Sequence, residues 1–313
     1  MSTNILEAKN IVKKYAEHVA LDDVSLSIKR NTIFGMLGPN GAGKTSFIRI
    51  INQITAPDSG IITFDGAPLN KKHITQIGYL PEERGLYKKM KVGEQAIYLS
   101  QLKGLTRHEA IKRLKIWFQK FEVEGWWNKR VEELSKGMQQ KIQFIVTVIH
   151  EPQFLIFDEP FSGFDPINVD LLKDEILLLK ENGATIIFST HNMSSVEEIC
   201  DEIALLNKSK IILEGEVNEV KNRFKSNIYN LEIETPAFDI KTIIPEDFSF
   251  VTSEEDHNIS RLHIRIPKER SSNELLKIFL DHTTIHKFNE ILPTMNEVFI
   301  SSIKSKNNAN LEM

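Results

Sequence analysis

The run Gly38-Pro39-Asn40-Gly41-Ala42-Gly43-Lys44-Thr45 leaves this chain few folds. It fits the phosphate-loop pattern without departure. Such a loop works between a buried strand and a helix. Its glycines let backbone N–H groups turn inward around a phosphate, and the helix adds the positive end of its dipole. Both neighbours are legible. Thr32 to Leu37 is a nearly continuous apolar run, which suits a strand buried on both faces. An apolar-rich helix is expected downstream through Ile54. A Gly-rich turn capping a helix is the plain alternative, and this strand–loop–helix context favours nucleotide binding. Lys44 would bridge β- and γ-phosphates, and the Thr45 hydroxyl would ligate Mg²⁺. The loop alone does not choose among kinases, GTPases and ATPases.

Phe154-Leu155-Ile156-Phe157-Asp158-Glu159-Pro160 narrows that choice. A buried strand ending in Asp158 puts a carboxylate at the sheet edge beside the phosphate loop, where it can hold Mg²⁺ through water. Glu159, one residue on, could polarise an attacking water as general base. Apolar runs at Thr185–Phe188 and Ile203–Leu206 extend the pattern, with helical stretches such as Val169 to Lys180 between them. This alternation predicts a mostly parallel sheet flanked by helices. From about Lys91 to His150 the spacing turns helical, as in Ile111, Leu114 and Phe118, with Thr106 and Glu109 placed for a capping box. Past Phe224 the strands alternate as half-exposed ones, and Ser271 with Glu274 opens a helix through Leu280. The last stretch, Ser305 to Met313, is expected to fray.

Composition removes several classes. With 313 residues, about two domains are expected, and 39 Lys+Arg against 43 Asp+Glu argues against a nucleic-acid partner. The single cysteine, Cys200, cannot form an internal disulfide and fits a reducing compartment. No stretch approaches the roughly 18 apolar residues needed to cross a bilayer, and the first residues lack signal-peptide character.

Taken in order over residues 4 to 224, these motifs resemble the ATP-binding subunit of ATP-binding-cassette (ABC) transporters. The resemblance implies an α/β fold: a P-loop NTPase cassette with a mixed, mainly parallel sheet and a helical subdomain at about 86–150, all within residues 1–224. A small C-terminal α+β accessory domain would follow at 225–313. It implies ATP and Mg²⁺ as cofactors, held by Gly38, Pro39, Asn40, Gly41, Ala42, Gly43, Lys44, Thr45 and Ser46. Tyr15 sits where the family stacks a ring on adenine. His191, in Phe188-Ser189-Thr190-His191-Asn192, matches the histidine that senses the γ-phosphate. Ser135 and Gly137, in Leu134-Ser135-Lys136-Gly137-Met138-Gln139-Gln140-Lys141, stand at the family's signature sequence. Asp165 stands in the loop that reaches across the dimer. Signature and loop serve the opposite subunit's nucleotide, which implies a head-to-tail dimer with a second copy or a paralogue. Lys136 and Met138 depart from the commonest Gly and Gln. Glu82, in Gly78-Tyr79-Leu80-Pro81-Glu82, replaces the usual Gln that meets Mg²⁺ or water.

The runs at Pro81–Tyr87 and Leu134–Lys141 and the tail Leu292–Ile300 are similar to an exporter branch that includes sodium-efflux (NatA-like) ATPases. The expected function is therefore an ATPase on the inner face of the cell membrane, driving export of Na⁺ or a drug-like substrate through a separate permease. The alternative is a soluble ABC ATPase acting in translation, DNA repair or regulation. His282 and His286 have metal-ligand spacing, but the β-branched Thr283-Thr284-Ile285 favours a loop over a shared helix face. Trp126-Trp127 reads equally as partner contact or packing.

Overall fold

The computed structural model describes residues 3–83 and 85–309. Contacts divide the chain between Val217 and Asn218, upstream of the 224/225 boundary read from the sequence.

In the first unit, strands β1 (Asn4–Tyr15) and β2 (His18–Lys29) form a hairpin. Strand β3 (Ile33–Leu37) then leads into helix α1 (Lys44–Ile51). After these come β4 (Ser59–Phe64), β5 (Ala67–Pro68) and β6 (Ile77–Leu80), then helices α2 (Val92–Leu102), α3 (Arg107–Lys120) and α4 (Lys136–Val148). The chain returns through β7 (Phe154–Asp158), α5 (Pro166–Glu181), β8 (Thr185–Thr190), α6 (Met193–Ile199), β9 (Glu202–Asn207) and β10 (Lys210–Glu216). Among the described residues, one sheet has the order β10-β9-β3-β8-β7-β6, parallel except at β10. Every residue of β3, β7 and β8 is buried, as continuous apolar runs require of strands covered on both faces. The loops leaving their C-terminal ends carry Gly38, Glu159 and His191, so the candidate site lies where ligands bind in parallel sheets.

Strands β1, β2 and β4 stand apart from the main sheet; with β5 they form an antiparallel one, ordered β2-β1-β4-β5. One expectation needs correction: helix α1 stops at Ile51 instead of Ile54. The Asn52 side chain donates to the Ile48 carbonyl at 2.9 Å and Gln53 takes a left-handed φ of 55°, which ends the helical path. The helical spacing of Ile111, Leu114 and Phe118 is that of α3, which buries Ala110, Leu114 and Phe118, leaves Ile111 half-buried and opens on the expected Thr106–Glu109 capping box.

Trp127 serves packing. Its ring meets Phe118 edge-on at 5.2 Å, and a Cβ on Gly93 would stand 2.4 Å from it. Gly93→Ala therefore overpacks the contact between α2 and this ring. An expected loss of about 1–3 kcal/mol is measurable by urea unfolding, and unchanged stability would contradict this packing.

The second unit begins inside α7 (Val217–Arg223), at Asn218. It comprises β11 (Ile228–Glu234), β12 (Ser249–Asp256), β13 (Ile259–Arg265), α8 (Ser272–Leu280), β14 (Ile285–Ile291) and α9 (Met295–Ala309). The strands pair antiparallel in the order β12-β13-β11-β14, and Leu231, Ile233, Leu262 and Ile264 cluster with Leu275 and Phe279 of α8. The Ser271–Glu274 capping box forms. His286 lies on β14 and not in a loop, because Thr283-Thr284-Ile285 favours extended backbone; His282 sits in a turn. Of the stretch expected to fray, the backbone is helical through Ala309, and residues 310–313 lie outside the described residues. Among the described residues no helix is long and apolar enough to cross a membrane.

Candidate functional site

Helix α1 opens at Lys44 with Gly43 as its N-cap. No side chain caps it, and its first turn holds no acid. Its free N–H groups and positive dipole end are thus left for an external anion. The loop before it tolerates no side chain at two points. A Cβ on Gly38 (φ 145°) would stand 2.2 Å from the Leu206 carbonyl oxygen, and one on Gly43 (φ 113°) 2.4 Å from that of Ala20. The Lys44 ammonium donates to the Gly38 carbonyl at 2.6 Å and to that of Pro39 at 3.3 Å. Burial lowers its pKa, against the pull of the Glu159, Asp158 and Glu82 carboxylates.

A cleft of about 280 Å³ gathers Asn40 to Ser46 with Tyr15, Glu82, Asp158 and Glu159. Asp158 ends β7 with 2% of its surface exposed, and burial pushes its carboxyl up, with Glu82 and Glu159 adding to the rise and Lys44 opposing it. Glu159 takes a left-handed φ of 49°, rare for a residue with a side chain and a form of strain that gathers at functional sites. The end of β8 holds it there. Its N–H donates to the Ser189 carbonyl at 2.9 Å, Thr190 Oγ1 donates to Oε2 at 3.2 Å, and His191 Nδ1 donates to Oε1 at 2.7 Å. The His191 side chain is 69% exposed and that of Glu159 only 12%, so the carboxylate is fixed while the imidazole stays open to a ligand. A fixed carboxylate beside a phosphate loop can take a proton from water.

Tyr15 lines the cleft with its ring 5.4 Å from the Lys13 ammonium, which is itself tied to Asp58. His18 and Ala20 line it too and were missed from sequence. The signal for His18 was the two-residue turn at Ala16-Glu17, which sets it directly across the hairpin from Tyr15. Ser135, Gly137 and Asp165 are not among the residues lining this cleft. Ser135 caps α4 by accepting from the Met138 N–H at 3.2 Å, and Asp165 caps α5 by accepting from the Asn168 N–H at 3.0 Å. A Cβ on Gly137 would sit 3.2 Å from the Gly163 carbonyl oxygen, so the first turn of α4 abuts the turn before α5. Cys200 packs under Gly35, where burial pushes its thiol up and keeps it from acting as a nucleophile.

Residues 21–162 match the family described as ABC transporter, and residues 215–303 match the C-terminal domain described as that of ATP-binding protein DrrA1-3-like. The Bacillus subtilis ABC transporter ATP-binding protein YhaQ is 39% identical over 304 residues, 96% of this chain and 98% of that one. The ABC transporter ATP-binding protein NatA of the same organism is 34% identical over 233 residues, 73% of this chain and 92% of that one. A solved structure described as an ATP-binding subunit of an ABC transporter superposes with a TM-score of 0.66 at 29% identity, covering 70% of this chain and 93% of that one.

Proposed function

The chain belongs to the ABC transporter ATP-binding proteins, and from that premise we propose that it powers export through a separate integral-membrane permease. Members of this family bind ATP, couple its hydrolysis to transport, pair with membrane permeases and form dimers. The observation that carries the site assignment is Glu159, held through both carboxylate oxygens beside the phosphate loop.

In this reading Tyr15 stacks on adenine and the loop amides from Gly38 to Ser46 cradle the phosphates. Lys44 leaves its carbonyl partners for the β- and γ-phosphates. Glu159 draws the proton from the attacking water, and His191 meets the γ-phosphate from its exposed side. The donor set fits Mg²⁺. Among the described residues no three His, Cys, Asp or Glu side chains form a complete metal cage, whereas Thr45, Asp158 and Glu82 line one cleft and would hold the ion with a hydroxyl and carboxylates, the hard oxygen donors Mg²⁺ takes. Crowding of carboxylates around buried Asp158 is what a cation would relieve. When bound, the ion withdraws charge from the phosphates.

Glu82→Gln removes one negative charge facing the phosphates. Equilibrium titration without Mg²⁺ should show ATP binding tightened about threefold, as one screened charge at this range implies. Unchanged binding would remove Glu82 from the phosphate environment.

The second half of each site is assigned to the opposite subunit, a second copy or a paralogue bound head-to-tail. Supporting this, Ser135, Gly137 and Asp165 lie outside their own chain's cleft. The domains are assigned as an ATP-binding domain over 1–224, with its helical subdomain at about 86–150, and an accessory domain over 225–313. Export is supported by the exporter-like runs at Pro81–Tyr87, Leu134–Lys141 and Leu292–Ile300. Na⁺ or a drug-like solute is the proposed cargo, with the chain peripheral on the inner membrane face. Affinity purification from detergent-solubilised membranes tests the partner: co-recovery of a polytopic membrane protein is expected, and recovery of ribosomes without one would overturn the reading.

A further inference from the structure

Helix α4 buries an unusual face. Gln140 is 1% exposed, Gln143 4% and Thr147 6%, at spacings that stack them along one side of the helix. Buried amides cost free energy unless they are hydrogen-bonded, so their partners are informative. Gln140 Nε2 donates at 3.4 Å to the carbonyl of Pro160, the residue after Glu159. Gln143 Nε2 donates at 3.3 Å to the carbonyl of Pro81, the residue before Glu82. Thr147 Oγ1 is 2.8 Å from the Gln143 carbonyl and 3.5 Å from that of Tyr79, on the strand that leads to Pro81. The Oε1 atoms of both glutamines find no hydrogen-bond partner among the described residues. An interior chosen for stability alone would place apolar side chains here.

We infer that Gln140 and Gln143 are positioning residues, which tie the helix capped by Ser135 to the two loops that carry Glu159 and Glu82. The inference rests on the roles proposed above for those acids. One rigid helix thereby sets both carboxylates relative to the phosphate loop, and a movement of its Ser135 end reaches them together. Their bonds are longer than the usual 2.7–3.2 Å, which leaves room to tighten as the helix shifts.

The test compares Gln140→Met, Gln143→Met and the corresponding Leu variants with the wild-type chain. These keep the volume and remove the donor. Each is expected to keep its thermal midpoint and its KM for ATP, since the phosphate loop is untouched, and to lose about tenfold in kcat through misplacement of the acids. Amide hydrogen exchange supplies the readout that a merely structural role would not move. It should quicken in Tyr79–Glu83 for the Gln143 variants and in Glu159–Gly163 for the Gln140 variants. Unchanged kcat and exchange in folded variants would overturn the inference. Glu159→Gln run beside them separates the levels. Loss of turnover there with normal Met and Leu variants removes only the positioning pair, whereas normal turnover there removes the roles on which the pair rests.

Discussion

Replacing Glu159 with Gln lowers kcat for ATP hydrolysis by about 10²-fold or more, while ATP still binds and still drives dimer formation. General-base catalysis is worth about 10²–10⁴ in rate, and the amide cannot take a proton from water at neutral pH. The change is otherwise quiet. Gln keeps the length of the side chain and one oxygen able to accept from Thr190 or His191, so the geometry at the end of β8 persists. It also removes one of the carboxylates crowding buried Asp158, so thermal stability should hold or rise slightly. Phosphate release under saturating Mg·ATP, with size-exclusion chromatography of the ATP-bound protein, checks both halves. Turnover near the wild-type rate would take the base role from Glu159.

Lys44→Met should act one step earlier, on binding. Lys44 is 6% exposed, and its ammonium donates to two loop carbonyls and feels the Glu159, Asp158 and Glu82 carboxylates. Charge-assisted hydrogen bonds to phosphate contribute about 1.5–3 kcal/mol, so loss of this one should weaken ATP binding on the order of 10–10²-fold. Met fills the volume, and although buried Asp158 loses an opposing cation, protonation of its carboxyl relieves that charge, so the fold should tolerate the change. Nucleotide titration followed by fluorescence gives the affinity, and circular dichroism verifies the fold. Affinity within twofold of wild type would mean that the amine never leaves Gly38 and Pro39.

Much of this was legible because buried parallel strands write themselves as unbroken apolar runs. β3, β7 and β8 are of that kind, and the phosphate loop, Asp158 and Glu159 follow their ends directly. Alternating strands say less. Val24, Leu26 and Ile28 announce one buried face of β2 but not which sheet it joins, and the separate antiparallel sheet went unread. In the second unit β12 is exposed at nearly every position, so it offers no period to read. His18 enters the cleft through hairpin register, which depends on a turn geometry that the residue types only suggest. Nothing in the sequence singles out Gln140 and Gln143 as buried. Their burial is set by how α4 packs against the loops after β6 and β7, which no local pattern encodes.

A site completed by the opposite subunit makes a sharp demand on mixed dimers. One chain carries Lys44→Met. The other carries Ser135→Asp, which keeps an oxygen to cap α4 and sets a negative charge toward the phosphate expected there. Mixed dimers isolated through two different affinity tags should hydrolyse ATP well above either parent, because one of the two shared sites then has an intact Lys44 and an intact Ser135. Mixed dimers no more active than their parents would contradict the shared site.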